Sequence, residues 1–165
     1  MLGPRLILAG ALLISLPSCS GEPTKEERAA AVAEVEAHQT PPPEELALGQ
    51  IRYREIEMHD LYGAGCSFAP EGGGMAAVAL AMADTGHFIR DDELVTLAAD
   101  KGSAELPYLA HRKYDGTAYS MTLDLDEEAG ERSGYETSDY PATLTIRDHH
   151  ESVVYRESGI AQCGA

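Results

Sequence analysis

The chain has 165 residues, room for a single domain, and 44% of them are apolar, with eight Tyr, two Phe and no Trp, so aliphatic side chains and tyrosine must fill its interior. Its 28 acidic residues outnumber its 12 basic ones, for a formal charge of −16. A surface this acidic repels phosphate backbones and anionic headgroups, which argues against nucleic acid as a partner and favours metal cations or basic proteins.

Met1 to Arg5 is a short positive segment, and Leu6 to Leu16 is an uncharged apolar run of eleven residues. About 20 residues are needed to cross a hydrocarbon core of roughly 30 Å, so this run is too short to span. It has the length of a signal-peptide core. Leu16-Pro17-Ser18-Cys19 follows at once. These residues resemble the lipobox of bacterial lipoproteins, Leu-x-small-Cys, with Pro17 where Ala or Ser is usual. The resemblance implies that residues 1–18 are a signal peptide and that Cys19 is lipidated as the first residue of the mature chain. Arg5 is the one charge in the first 18 residues, so the mature chain is at −17. Each buried methylene contributes about 0.8 kcal/mol, and several acyl chains together make a stable anchor. The expected site is the cell envelope, facing the periplasm. Ser20 is not the Asp that commonly marks inner-membrane lipoproteins, which favours the outer membrane. The competing reading is an ordinary secretory signal with Cys19 near the cut.

Residues 19–45 read as anchor and spacer. Thr24 and Glu27 have capping-box spacing, and Glu26 to His38 is rich in Ala and Glu, which predicts a short helix. Pro41-Pro42-Pro43 ends it, since proline fixes φ and lacks an N–H. Val32 and Val35 leave open a second reading, in which this helix docks on the domain.

Residues 46–165 read as a β domain. Ile51/Tyr53 and Ile56/Met58 alternate across a phase slip near Glu55, which predicts a bulged strand. Val78, Leu80 and Met82 alternate with Ala between Gly72-Gly73-Gly74 and Asp84-Thr85-Gly86, a strand in preference to a helix, and His87–Arg90 returns as in a hairpin. Tyr119, Met121, Leu123 and Leu125 share one face after the Asp115-Gly116 turn. Glu127 to Gly134 is a loop. Leu144 and Ile146 alternate with polar neighbours, Asp148 to Glu151 turns the chain into Ser152–Arg156, and Ser158-Gly159 is expected to turn it again towards Ile160–Cys163. Short strands at such spacing predict a mainly β fold, a small antiparallel sandwich or barrel preceded by a short helix and flexible spacer.

With Cys19 assigned to the lipid, Cys66 and Cys163 remain. An exported chain meets an oxidising compartment, where an even pair is normally a disulfide. It would close 97 residues and contribute about 4–5 kcal/mol in the chain-entropy model. The rival is a single reactive thiol, but neither cysteine lies in a C-x-x-C pair or beside a His in sequence.

Asp148-His149-His150-Glu151 places four potential ligands in four residues, and His149 and His150 are the candidate metal ligands, with His59-Asp60 as a distant supplement. Adjacent residues on a strand point to opposite faces, so a polar hairpin tip is the competing account. Gly72-Gly73-Gly74 lacks the Lys-Ser/Thr of a phosphate loop and reads as a turn. Asp84, Asp91-Asp92-Glu93 and Asp124/Asp126-Glu127-Glu128 are carboxylates without acid/base or calcium-loop spacing, and Ser120 and Ser138 lack a nucleophile setting. No catalytic set and no cofactor are expected.

The segment from Gly65-Cys66-Ser67-Phe68 onward, above all Tyr140-Pro141-Ala142-Thr143-Leu144 and Gln162-Cys163-Gly164, resembles bacterial envelope lipoproteins of unknown function. Ser133-Gly134-Tyr135 is also similar to the Ser-Gly loop of the membrane-bound C-type lysozyme inhibitors, lipoproteins with a small barrel whose early and final strands share a disulfide. This chain departs from them in lacking the Trp of the following strand and the Lys near it. The leading expectation is a non-catalytic, membrane-tethered binding or assembly module with an envelope protein as partner. The alternatives are an inhibitor of a cationic lysozyme and a metal-binding or metal-dependent enzyme.

Overall fold

The computed structural model describes residues 23–39 and 43–165. The segments expected to form the signal peptide, the lipobox and Cys19 lie outside the described residues. The chain divides into two compact units between residues 41 and 42. Among the described residues no helix is long and apolar enough to cross a membrane.

Of the first unit, the described residues form helix α1, Lys25–Gln39, with the two residues before it. Its start is the reciprocal cap that the spacing predicts: the Glu27 carboxylate accepts from the Thr24 N–H at 2.7 Å, and Thr24 Oγ1 accepts from the Glu27 N–H at 3.2 Å. The Thr24 N–H is also the main reason that the Glu27 carboxyl lies below its ordinary range. Val32 and Val35 are 56% and 54% exposed.

The second unit is mainly β. In chain order it contains β1 (Leu48–Gly49), helix α2 (Tyr53–His59), β2 (Gly65–Pro70), β3 (Ala79–Met82), β4 (Thr85–Arg90), β5 (Glu93–Ala99), β6 (Lys113–Asp115), β7 (Tyr119–Leu125), β8 (Glu131–Arg132), β9 (Thr137–Asp148) and β10 (Val153–Gly164). All pairings are antiparallel. From β2 to β7 each strand pairs with the next, β7 pairs with β9, β9 with β10, and β10 returns to β2, closing an eight-stranded barrel. β1 extends one edge of β4 and β8 extends one edge of β9. Of the two expected architectures, sandwich and barrel, the molecule is the barrel.

The barrel is filled. Phe68, Phe88, Tyr114, Met121, Leu144 and Ile146 point inward and are fully buried. Large side chains meet small ones: a Cβ on Gly86 would lie 2.6 Å from the Met121 methyl and 2.7 Å from the Tyr114 ring, so only glycine fits there. The buried Tyr114 hydroxyl is satisfied, donating to the Met82 carbonyl at 2.8 Å and accepting from the His111 N–H at 2.7 Å. Burial pushes its pKa up to about 12. The β5–β6 loop folds back on itself, with Leu106 N–H donating to the Ala110 carbonyl at 2.8 Å and Arg112 N–H to Ala104 at 2.9 Å. It carries Leu106 and Ala110 into the core as a plug. Leu46 and Leu48 pack against the same core, with the Leu46 N–H donating to the Val154 carbonyl at 2.8 Å.

Two expectations need correction. Tyr53–His59 is helical, not a bulged strand. The Glu55 carboxylate accepts from the Arg52 N–H at 3.0 Å at the helix start, and Asp60 ends it in the left-handed region at φ 53°. The helix lies over the outside of the barrel, where Ile51 and Leu61, with Ile56 partly buried, cover the outward side chains Leu80 and Ile89 in a second apolar cluster. That cover also fixes the facing of β3: Ala79 and Ala81 point into the barrel, while Leu80 and Met82 point out under the helix segment. The second correction concerns Ser158-Gly159, which does not turn the chain, since β10 runs unbroken through it. Gly159 is required by close strand approach, because a Cβ there would lie 2.1 Å from the Ala69 carbonyl oxygen.

Candidate binding surfaces

Cys66 and Cys163 are direct cross-strand partners on β2 and β10, and their sulfurs are at bonding distance, 2.04 Å. The pair sits at the seam where the barrel closes, buried in the core beside the plug. This is the early-to-late connection that the cysteine count predicts.

Next to this seam the chain between β8 and β9 forms a tight loop, Ser133-Gly134-Tyr135-Glu136. The N–H groups of Ser133 and Gly134 both donate to the Thr137 carbonyl, at 3.1 and 3.2 Å. Arg132 donates from Nε to the Gly134 carbonyl at 2.9 Å and from Nη2 to the Tyr135 carbonyl. Ser133 Oγ donates to Asp139 Oδ1 at 2.7 Å, and Gln162 of β10 donates to the same oxygen at 2.9 Å. The loop is thus tied to β9 and β10 by side chains from both. It presents Tyr135, 89% exposed, with the Arg132 guanidinium 6.0 Å from its ring centre. An aromatic held outward on an ordered loop loses little entropy on binding, which is the usual property of an interface anchor.

At the other end of β9 lies the Asp148–Glu151 turn. Asp148 Oδ1 accepts from the N–H groups of His150 and Ser152, both at 2.9 Å, so this carboxylate shapes the turn. The ring centres of His149 and His150 lie 3.8 Å apart, with the two planes tilted by 42°. Among the described residues no group of three His, Cys, Asp or Glu side chains converges as a metal site. His59 and Asp60 belong to the end of α2 and not to this turn.

The remaining carboxylates are dispersed. Asp91 and Asp92 form the two-residue β4–β5 turn, both at positive φ, 51° and 62°. Asp84 pairs with Lys101 at 2.8 Å, and this contact is the main reason its carboxyl lies below the ordinary range. Asp124 pairs with Arg112, while Asp126 caps the short helical turn at Glu127–Ala129. Ser138 lies on β9 in register with Arg132 and Cys163, and Ser120 lies on β7 in register with Asp115 and Arg147. Neither has a His partner there. The Gly72-Gly73-Gly74 turn has Gly72 and Gly74 at φ 74° and 82°, backbone that favours glycine.

Two buried histidines escape sequence reasoning. His87 on β4 points outward beneath the α2 cover, its ring nitrogens 3.1 and 2.9 Å from the hydroxyls of Thr96 and Thr85. Burial lowers its pKa, with nearby His59 acting in the same direction. His111 sits in the plug with Nδ1 buried and without a protein hydrogen bond. Strand alternation alone would assign His87 to an exposed face, because it does not reveal the helix that covers it. No family model matches the chain, and neither a curated protein nor a solved structure matches it.

Proposed function

We propose that this protein is a membrane-tethered envelope lipoprotein whose barrel is a non-catalytic binding or assembly module. One observation carries the binding half of this reading. The interior is filled by fully buried side chains, so recognition falls to the outer surface and loops, and the Ser133–Glu136 loop is an ordered loop with an exposed aromatic at its tip. The tether rests on the lipobox resemblance of Leu16-Pro17-Ser18-Cys19 and the apolar run before it. The site is the periplasmic side of the envelope, with the outer membrane favoured.

A photo-crosslinking residue placed at Tyr135 in the full chain, expressed in cells, tests the module. A discrete protein adduct, absent when the same residue replaces exposed Thr117, supports it. Identical capture from both positions counts against it. Cys19→Ala tests the tether separately, since it should move the protein from the membrane to the soluble fraction.

A second reading is inhibition of a cationic lysozyme. What favours it is the combination of a closed barrel, a disulfide between its first and last barrel strands, and the Ser133-Gly134-Tyr135 loop beside that seam. The acidic charge suits a basic enzyme. Hen-type lysozyme activity that is unchanged by a stoichiometric amount of the protein at moderate salt would remove this reading.

A further inference from the structure

The net charge conceals one strongly basic face. On the outer surface of the barrel, Lys113 of β6, Thr122 of β7, Thr145 of β9 and Arg156 of β10 stand side by side in one cross-strand row. Arg147 lies two residues along β9 from Thr145, and Arg112 immediately precedes β6. Together with the Asp124 carboxylate and the Ser103 loop these residues line a depression of about 540 Å³. Four cations thus meet on one face of an otherwise acidic protein.

Their pairing is unequal. Arg112 is held by Asp124 at 2.5 Å and Lys113 by Asp115 at 3.1 Å. Arg147 donates to a neutral group, the Glu151 carbonyl at 2.8 Å. Among the described residues neither Arg147 nor Arg156 has a carboxylate partner. Between them at the floor lies Thr145, 7% exposed, whose hydroxyl bonds to no protein group among the described residues. Adjacent cations repel, and the Thr145 hydroxyl, which is not sealed inside the protein, opens to the depression. An oxyanion in the depression would relieve that repulsion: it bridges two guanidiniums in the geometry that arginine favours and accepts from the hydroxyl.

We propose that this depression is a binding site for a phosphate group, with Arg147 and Arg156 as its charged arms and Thr145 as its floor. A phosphate monoester carries roughly −1.5 to −2 at neutral pH, which matches the two unpaired guanidiniums. The repulsion of the acidic surface does not defeat it, since exposed charges beyond a Debye length of about 8 Å are largely screened at physiological salt. The site makes no use of the tether or of the Tyr135 loop, so it stands or falls independently of the proposed function.

The test is isothermal titration of the purified full chain with inorganic phosphate and, separately, with dihexanoyl phosphatidic acid below its micelle concentration. The expected result is a dissociation constant below about 1 mM for at least one of them. Binding of phosphate alone identifies a free phosphate as the source, and binding of the lipid alone identifies a headgroup. Arg147→Gln with Arg156→Gln should weaken binding at least tenfold. Thr145→Val, which conserves shape and strand propensity, should weaken it severalfold. Lys101→Gln, a cation paired elsewhere, should leave it unchanged. No binding of either probe overturns the proposal, as does binding that survives both the double arginine variant and Thr145→Val.

Discussion

The two apolar clusters of the second unit are built on opposite faces of the same strands, and they are secured differently. Inside the barrel, side chains from all eight strands interlock, the sheet closes on itself, and a disulfide spans the closure. Outside, Ile51, Leu61, Leu80 and Ile89 depend on one seven-residue helix and its flanks for their cover. An isolated helix of that length is not stable in water. The inner cluster therefore sets the global stability of the unit, while the outer one opens locally at lower cost.

The largest effect expected to separate them is loss of the seam. Cys66→Ser with Cys163→Ser should destabilise the whole unit by about 4–5 kcal/mol in the chain-entropy model, measured by denaturant unfolding. Leu144→Ala, a fully buried deletion inside the barrel, should cost about 3–4 kcal/mol, again globally. Ile56→Ala under α2 should cost about 1 kcal/mol for a partly buried side chain. It should appear as faster hydrogen exchange in residues 51–61 with the barrel amides still protected. Equal loss of protection in both regions would show that the clusters unfold as one.

The smallest effect is a pH dependence confined to the outer region. Burial favours the neutral His87 ring, so its folded pKa lies below the ordinary value of 6.5. On acidification the unfolded chain takes up the proton first. The stability that neutral His87 contributes is therefore complete above about pH 6.5 and is lost as pH falls from there through the lowered folded value. Exchange of residues 51–61 should accelerate between pH 7 and 5, after correction for the intrinsic exchange rate, and His87→Gln should flatten that slope. A slope that His87→Gln leaves unchanged would show that His87 is not its source.

Much of the inner region is legible in the sequence. Met121/Leu123 and Leu144/Ile146 alternate cleanly because one face of each strand is solvated and the other is core. The cysteine pair is what parity leads one to expect once the first residues are read as an export signal. The outer region is not legible, for a physical reason. Ile51, Tyr53, Ile56 and Met58 satisfy a slipped strand as well as a helix, and the choice is made by apolar surface on β3 and β4 that no local window contains. The same local window leaves the facing of β3 undecided, and Leu80 and Met82 point outward because there is a helix segment to bury them. Gly159 reads locally as a turn, whereas its role is to admit the Ala69 carbonyl of β2. The basic face is hidden for a related reason, since Lys113 lies more than 30 residues before Arg147 and Arg156 and meets them only through strand pairing. The Asp148–Glu151 turn, by contrast, is specified by its own Asp and was readable.

The order of strands around the barrel has a kinetic consequence. Seven of the eight ring pairings join strands that are close in the chain, so they can zip up as successive hairpins at low entropic cost. The pairing of β2 with β10 is the exception, and β10 is the last ring strand in chain order. Until it docks, the intermediate is a curved open sheet with two bare edges, the state in which a strand is most easily captured by another chain. A truncation that removes Gln162–Gly164 would prolong that interval.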